Sequence, residues 1–148
     1  MRKSKGLTLI ELLIVMVILA ILIPMPYIGF KGLQNEANKT KVQGDIRVIK
    51  IALESYYKNH YNQYPPVNGY QATLMVALPQ IFDRMLYDPF GASATTIYSY
   101  RLSTDDPATS KYYVVYSVGP NGDGSASVDN NGTVTASNEV LWESNGHQ

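Results

Sequence analysis

Residues 1–30, MRKSKGLTLIELLIVMVILAILIPMPYIGF, contain one carboxylate in a long apolar run, and this run is the most informative part of the chain. From Leu7 to Ile23 every side chain is apolar except those of Thr8 and Glu11. A charged side chain at the centre of a membrane-spanning helix costs roughly 2.5 to 3.5 kcal/mol on insertion scales. The glutamate therefore needs a specific reason to be there.

The sequence on either side of this run predicts a membrane anchor. Arg2, Lys3 and Lys5 precede it, and the positive-inside rule then predicts a cytoplasmic N-terminus. Residues 7–30 would form a helix of about 36 Å, enough to cross a hydrocarbon core of about 30 Å. No small-residue cleavage site of the ordinary secretory kind follows the run, whereas Gly6 lies directly before it. On hydropathy alone, an uncleaved signal anchor is the simplest interpretation.

The stretch KGLTLIELL, residues 5–13, closely resembles the prepilin signature of type IV pilins and type II secretion pseudopilins. The resemblance implies that a prepilin peptidase cuts after Gly6 and that the new N-terminus, Leu7, is methylated. Residues 1–6 would then be a cleaved leader and residues 7–30 a hydrophobic transmembrane and assembly helix. Leu7 stands where the family usually has Phe, a departure that should not prevent cleavage.

Glu11 would become the fifth residue of the mature chain, close to the new amine of Leu7. The resemblance implies that this carboxylate neutralises the N-terminus of an adjacent subunit while a filament assembles. Buried charges persist when they are paired, and removing one partner leaves the other with its full desolvation cost. We therefore expect Glu11 to act in assembly.

Pro24 and Pro26 predict an interruption of this helix, because proline lacks an amide donor and clashes with the preceding turn. The simpler interpretation is that the membrane helix ends there. The resemblance instead implies a kink, with the helix resuming near Tyr27, although pilins usually carry a single proline slightly further along the chain.

An amphipathic helix is predicted within residues 31–63. Apolar side chains recur there at spacings of four, three, four and three, at Val42, Ile46, Ile49, Leu53 and Tyr56. This stripe predicts a helix face that packs against the protein's own sheet. The helix should end before Tyr64-Pro65-Pro66, because a residue that precedes proline disfavours the helical region.

The remainder, residues 64–148, is predicted to be a globular sheet domain. Residues 96–102 and 111–118 are rich in aromatic and β-branched residues and predict strands. Asn131-Gly132 predicts a hairpin turn between two further strands, at residues 125–128 and 133–136.

Two shorter signals complete the predicted fold. Residues 72–78 suggest a short helix that ends at Pro79, and Asp88-Pro89-Phe90-Gly91 has the residue order of a type I turn. The whole pattern predicts an α+β fold, in which a long kinked N-terminal helix, half transmembrane and half amphipathic, packs on a small antiparallel sheet.

Composition excludes several function classes. The 148 residues carry no net charge and no dense basic patch, so a nucleic-acid partner is not favoured. With no cysteine there is no disulfide framework. Neither His60 nor His147 belongs to a catalytic motif, and no phosphate-binding loop is present. We therefore expect a protein that is not an enzyme.

The C-terminal half resembles the major pseudopilins of type II secretion. The resemblance is carried by Tyr64-Pro65, then Asp88-Pro89-Phe90-Gly91, then YSVGPNG at residues 116–122. It implies a calcium ion in the loop that follows, with ligands from the Val118 carbonyl and from the side chains of Asn121 and Asp129.

This loop also departs from the family pattern. Asn121 stands where the family usually has Asp, which removes a charge that Asp123 could restore. The alternative is that residues 129–132 form a plain hairpin turn and residues 122–124 a plain loop, without a metal.

These observations favour a structural subunit of a type II secretion pseudopilus. Its expected location is the inner membrane, as a single-pass protein with a periplasmic C-terminal domain, followed by a periplasmic or surface filament. The expected partners are identical subunits, prepilin peptidase, an inner-membrane assembly platform, minor pseudopilins and membrane lipid. A type IV pilin of a surface pilus, used in adhesion, motility or DNA uptake, and an anchored periplasmic binding domain that does not assemble remain the alternatives.

Overall fold

The computed structural model describes residues 8–23, 25–137 and 139–147, with backbone but not side chains for residues 25–29. These residues form an α+β fold, which confirms the predicted class. The helices are α1 (Leu9–Leu22), α2 (Met25–Asn59) and α3 (Tyr70–Val76). The strands are β1 (Ser99–Leu102), β2 (Tyr113–Tyr116), β3 (Ala126–Val128), β4 (Val134–Ala136) and β5 (Trp142–Ser144). The chain separates into two compact units, the first ending at Ala37 and the second beginning at Asn38.

Helix α1 is apolar on every side apart from Glu11. Thr8 is its N-cap, and the Thr8 and Glu11 side chains form a capping box. Its large apolar side chains are all at least half exposed, from 50% at Leu19 to 84% at Leu9. No side chain of α1 is therefore buried by the chain itself.

Within the described part of the chain, no helix is both long and apolar enough to cross a membrane.

Helices α1 and α2 come before and after Pro24 in the chain. Helix α1 ends at Leu22, Ile23 lies in a turn, and α2 begins at Met25. Pro24 and the side chain of Pro26 lie outside the described residues. A bend at the two prolines therefore stays a prediction.

Helix α2 carries the predicted buried stripe. Val42, Ile46, Ile49 and Leu53 are at most 1% exposed, and Tyr56 packs against the same cluster. Strand residues such as Tyr113 and Val115 belong to that cluster too. The prediction that one face of this helix packs on the sheet is confirmed, and α2 ends at Asn59, before the Tyr-Pro-Pro sequence as expected.

The three-stranded sheet has β2 at its centre, paired antiparallel with β1 and with β5. All four residues of β2 are buried. Tyr113 and Val115 join the cluster around α2, whereas Val114 and Tyr116 join a second cluster with side chains of the β3–β4 hairpin. Because successive strand residues point to opposite faces, β2 is covered by the helix on one face and by the hairpin on the other.

The β3–β4 hairpin, the turn at Asp88 and helix α3 lie close to where the sequence predicted them. Strands β3 and β4 pair antiparallel around Asn131-Gly132, and Gly132 takes a positive φ of 90°, as a tight turn requires. The Gly91 N–H donates to the Asp88 carbonyl at 3.0 Å, which confirms the predicted turn. Helix α3 begins two residues before the predicted range. Strand β5 was not predicted.

Candidate functional site

The predicted processing site lies outside the described residues. Gly6 and Leu7, the expected cleavage and methylation positions, belong to residues 1–7, which the structure does not describe. Cleavage and methylation therefore stay predictions. The first site residue that the structure places is Glu11.

Glu11 lies in the first turn of α1, and its carboxylate folds back on the residue that begins the helix. Oε2 accepts the Thr8 N–H at 3.0 Å and the Thr8 hydroxyl at 2.9 Å. The Glu11 N–H donates in turn to Thr8 Oγ1 at 3.4 Å. These reciprocal bonds satisfy amides that a helix N-terminus otherwise leaves without partners.

The capping contact gives Glu11 a structural role that the sequence prediction missed. The signal was available, since Thr8-Leu9-Ile10-Glu11 has the Thr-x-x-Glu spacing of a capping box. A role for Glu11 in assembly must therefore be tested separately from its role in starting the helix.

A second candidate site lies where the Asp88 turn meets the end of β2. Asp88 is only 3% exposed, and its two oxygens accept three hydrogen bonds. Oδ1 accepts the Phe90 N–H at 3.0 Å and the Ser117 hydroxyl at 2.8 Å, while Oδ2 accepts the Val118 N–H at 2.9 Å. A buried carboxylate needs such partners to offset its desolvation. Asp88 thereby fixes the first residues of the loop that follows β2.

The loop from Ser117 to Gly124 is closed by its own backbone. The Gly124 N–H donates to the Val118 carbonyl, and the Gly122 N–H donates to the Gly119 carbonyl, both at 2.9 Å. Gly119 has a φ of +75°, and a Cβ added there would lie 2.8 Å from the Glu139 carbonyl. This position therefore requires glycine.

The loop is also tied to the chain that follows β4. The Asn121 Nδ2 donates to Glu139 Oε2 at 3.1 Å. Because a carboxylate only accepts, this contact turns the Asn121 amide nitrogen toward Glu139 and its oxygen away. The sequence prediction did not include Glu139, since no motif connects it with Asn121.

Asp129 is not part of this loop. It lies in the turn between β3 and β4, where its Oδ1 accepts the Asn131 N–H at 2.9 Å and the Thr133 N–H at 2.8 Å. Ser125 and Asp129 both take part in the hairpin ladder, through bonds with Ser137 and Thr133. Four extended residues at about 3.3 Å each place Asp129 about 13 Å beyond Ser125.

The structure places the four predicted calcium ligands in two segments, the loop after β2 and the turn of the β3–β4 hairpin. Val118 and Asn121 share the loop, Asp123 is exposed on it, and Asp129 belongs to the far end of the hairpin. In residues 8–23, 25–137 and 139–147, no three acidic or histidine side chains form a group that could hold a metal. Calcium binding stays a prediction.

Comparisons with known proteins agree with the resemblance seen in the sequence. Residues 1–23 match the family described as the prokaryotic N-terminal methylation motif. The chain is 26% identical over 132 residues to the type II secretion system core protein G of Escherichia coli (strain K12). That alignment covers 82% of this chain and 85% of the relative. No solved structure gave a significant match. The predicted resemblance to the type IV pilin and type II secretion pseudopilin superfamily is confirmed.

Proposed function

We propose that this chain is a structural subunit of a type II secretion pseudopilus and assembles through its N-terminal helix. The observation that carries the proposal is an exposed apolar helix whose only charged group, Glu11, lies in its first turn. The N-terminal methylation motif and the similarity to core protein G, over most of both chains, support the same assignment.

The proposed life cycle begins in the inner membrane, with the N-terminus in the cytoplasm. Prepilin peptidase cuts after Gly6 and Leu7 becomes a methylated, cationic N-terminus. The subunit then leaves the bilayer through an assembly platform and stacks on identical subunits, with minor pseudopilins in the same fibre. Export would be driven by growth of this filament, so the role of the chain is mechanical and not catalytic.

Glu11 gives this assembly a physical driving force. A carboxylate in lipid is costly, and the amine of a neighbouring Leu7 would neutralise it. Without the pair each charge keeps its desolvation cost, so docking of a second subunit relieves a penalty that the single subunit carries. The exposed side chains of α1 would gain burial in the same step, at about 25 cal/mol for each Å² of apolar surface.

The test must separate the charge of Glu11 from its capping role. Glu11→Gln removes the charge but keeps a side chain that can accept from the N-cap amide, as glutamine does in a capping box. Thr8→Ala is the matched control, because it removes the capping hydroxyl and leaves the charge. Both variants are expressed at full length with prepilin peptidase and the assembly platform, and sheared filaments are counted by electron microscopy and immunoblot.

We expect Glu11→Gln to enter the membrane and be processed, yet to form no filaments, while Thr8→Ala still assembles. Normal filaments from Glu11→Gln would overturn the charge-pairing step. Membrane-inserted wild-type chain that forms no filament with the platform present would favour the anchored binding domain. Long filaments on the cell surface, formed without a secretion defect in a deletion strain, would favour the surface pilin.

A further inference from the structure

We propose that the loop between β2 and β3 is closed by the chain's own hydrogen bonds, through Asp88 and Glu139, and not by the calcium ion that the family resemblance implies. This inference concerns the folding of the second unit and does not depend on filament assembly. It follows from the hydrogen bonds that the candidate calcium ligands already make.

The first step is the anchoring of the loop by Asp88. This carboxylate is almost fully buried and holds both the Ser117 hydroxyl and the Val118 N–H. Ser117 is itself fully buried, and its Oγ accepts the Gly119 N–H at 3.2 Å. A chain of hydrogen bonds thus runs from the Asp88 turn into the loop, and each buried polar atom in it has a partner.

The second step is the closure of the far side of the loop. Asn121 donates to Glu139, and the Glu139 backbone, at a φ of +66°, brings its carbonyl close to Gly119. Non-glycine residues rarely adopt this conformation, and it persists where the surrounding structure imposes it. Asn121 and Glu139 thus tie the far side of the loop to the chain that follows β4.

The third step is the position of Asp129. Calcium requires about six to eight oxygens converging at 2.3 to 2.6 Å. Asp129 cannot join Val118 in such a set while the β3–β4 ladder keeps it at the opposite end of the hairpin and its Oδ1 accepts two amides of its own turn. The hairpin turn would have to open before this carboxylate could join an ion held at Val118.

The experiment compares thermal melts of the full-length chain in detergent, followed by Trp142 fluorescence and circular dichroism. Wild type is melted in excess EGTA and in millimolar calcium. A ligand present at 100 times its Kd would raise the melting temperature by on the order of 10 °C for a domain of this size. We expect the two melts to superimpose.

The variants test whether Asp88 and Glu139 hold the loop closed. Asp88→Asn replaces an oxygen that accepts the Val118 N–H with an amide that cannot, and should lower the melting temperature by roughly 5 °C or more. Asp83→Asn, an exposed aspartate in the same segment, is the matched control and should melt like wild type. Glu139→Ala should lower the melting temperature, whereas Glu139→Gln, which can still accept from Asn121, should not.

A rise in the wild-type melting temperature with calcium, or a fall with EGTA, would overturn the inference. It would also be overturned if Asp88→Asn melted like Asp83→Asn. Should Asp88→Asn fail to fold, Ser117→Ala provides a milder variant that removes one hydrogen bond to the same carboxylate, and its melt should fall below that of wild type with or without calcium.

Discussion

Helix α1 and the unit that begins at Asn38 are both rich in apolar residues, but they use them in opposite ways. In α1 every large apolar side chain is at least half exposed, whereas the core residues around α2 are at most 8% exposed. Fully burying one such side chain contributes about 1.5 to 3 kcal/mol. The second unit therefore gains its stability within one chain, while the apolar surface of α1 stays exposed in the single chain.

The largest effect we expect comes from a change that touches only the N-terminal segment. Gly6→Val should stop processing, because a side chain at this position crowds the approach of the peptidase to the backbone. Mass spectrometry should show wild type beginning at a methylated Leu7 and the variant still beginning at its leader. The fold of the sheet domain should be unchanged by circular dichroism.

Ser4→Ala is the control for this prediction, since it changes the leader without altering the cleavage position. Processing of Gly6→Val at the wild-type rate, or an assembled chain that retains Met1, would show that the N-terminal resemblance does not carry the expected chemistry.

A second, large effect should appear only in the sheet domain, when the pH is raised. Burial raises the pKa of five tyrosines above the ordinary value, at Tyr64, Tyr70, Tyr98, Tyr100 and Tyr113. The unfolded chain loses these protons near pH 10 and the folded chain retains them, so unfolding is favoured as the pH rises. The contribution of these protonated tyrosines to the free energy of unfolding is fully present below about pH 10. Above that pH it falls, by about 1.4 kcal/mol per pH unit for each such tyrosine.

Absorbance at 295 nm and near-ultraviolet circular dichroism would follow tyrosine ionisation and unfolding together. We expect a cooperative step above pH 10 in which the buried tyrosines ionise as tertiary structure is lost. Helix α1 contains no tyrosine and should keep its helical signal in detergent. A smooth titration of all tyrosines near pH 10 with the near-ultraviolet signal intact would contradict this picture.

Local patterns predicted much of the second unit. The α2 stripe follows from helical periodicity alone, and the β3–β4 hairpin from a two-residue Asn-Gly signal between alternating strands. Both depend on residues close together in sequence, where the physical constraint is visible in the order of the side chains. The apolar surface of α1 was visible in the same way, as an apolar run that Glu11 alone interrupts within Leu9–Leu22.

Contacts between distant segments were not predictable in this way. Asp88 and Ser117 are 29 residues apart, and a turn motif gives no sign that its first carboxylate will also hold the end of a strand. Strand β5 is three residues long and includes the polar residues Glu143 and Ser144, so neither its length nor its alternation distinguishes it from a loop. The hydrogen bonds of Asp129 within its own hairpin turn were not predicted either, because the calcium expectation came from a family resemblance and not from the local order of residues.

A matched pair of leucines compares the two regions directly. Leu53 in α2 is fully buried and Leu13 in α1 is 55% exposed. Leu53→Ala should lower the free energy of unfolding by about 2 to 5 kcal/mol, because it removes buried methyl groups and leaves a cavity. Leu13→Ala should leave the unfolding of the sheet domain unchanged, as measured by Trp142 fluorescence in denaturant.

Equal losses from the two substitutions would show that α1 contributes to the fold of the single chain, as the buried residues of α2 do. Leu13→Ala is expected instead to reduce filament yield. Filament yields of Leu13→Ala and Leu53→Ala should be compared at temperatures where Leu53→Ala is fully folded.

The smallest effect should come from the ion pair between α2 and β5. Lys50 Nζ lies 2.9 Å from Glu143 Oε2, but both side chains remain about a third exposed, at 31% and 34%. Solvent screens such a pair, and it should contribute about 0 to 1 kcal/mol.

A double-mutant cycle with Lys50→Met and Glu143→Gln isolates the coupling from other effects of each change. We expect a coupling in this range that shrinks as salt is raised. A salt-independent coupling above about 2 kcal/mol would mean that the pair is effectively desolvated, and that charge pairing as well as apolar burial distinguishes the second unit from α1.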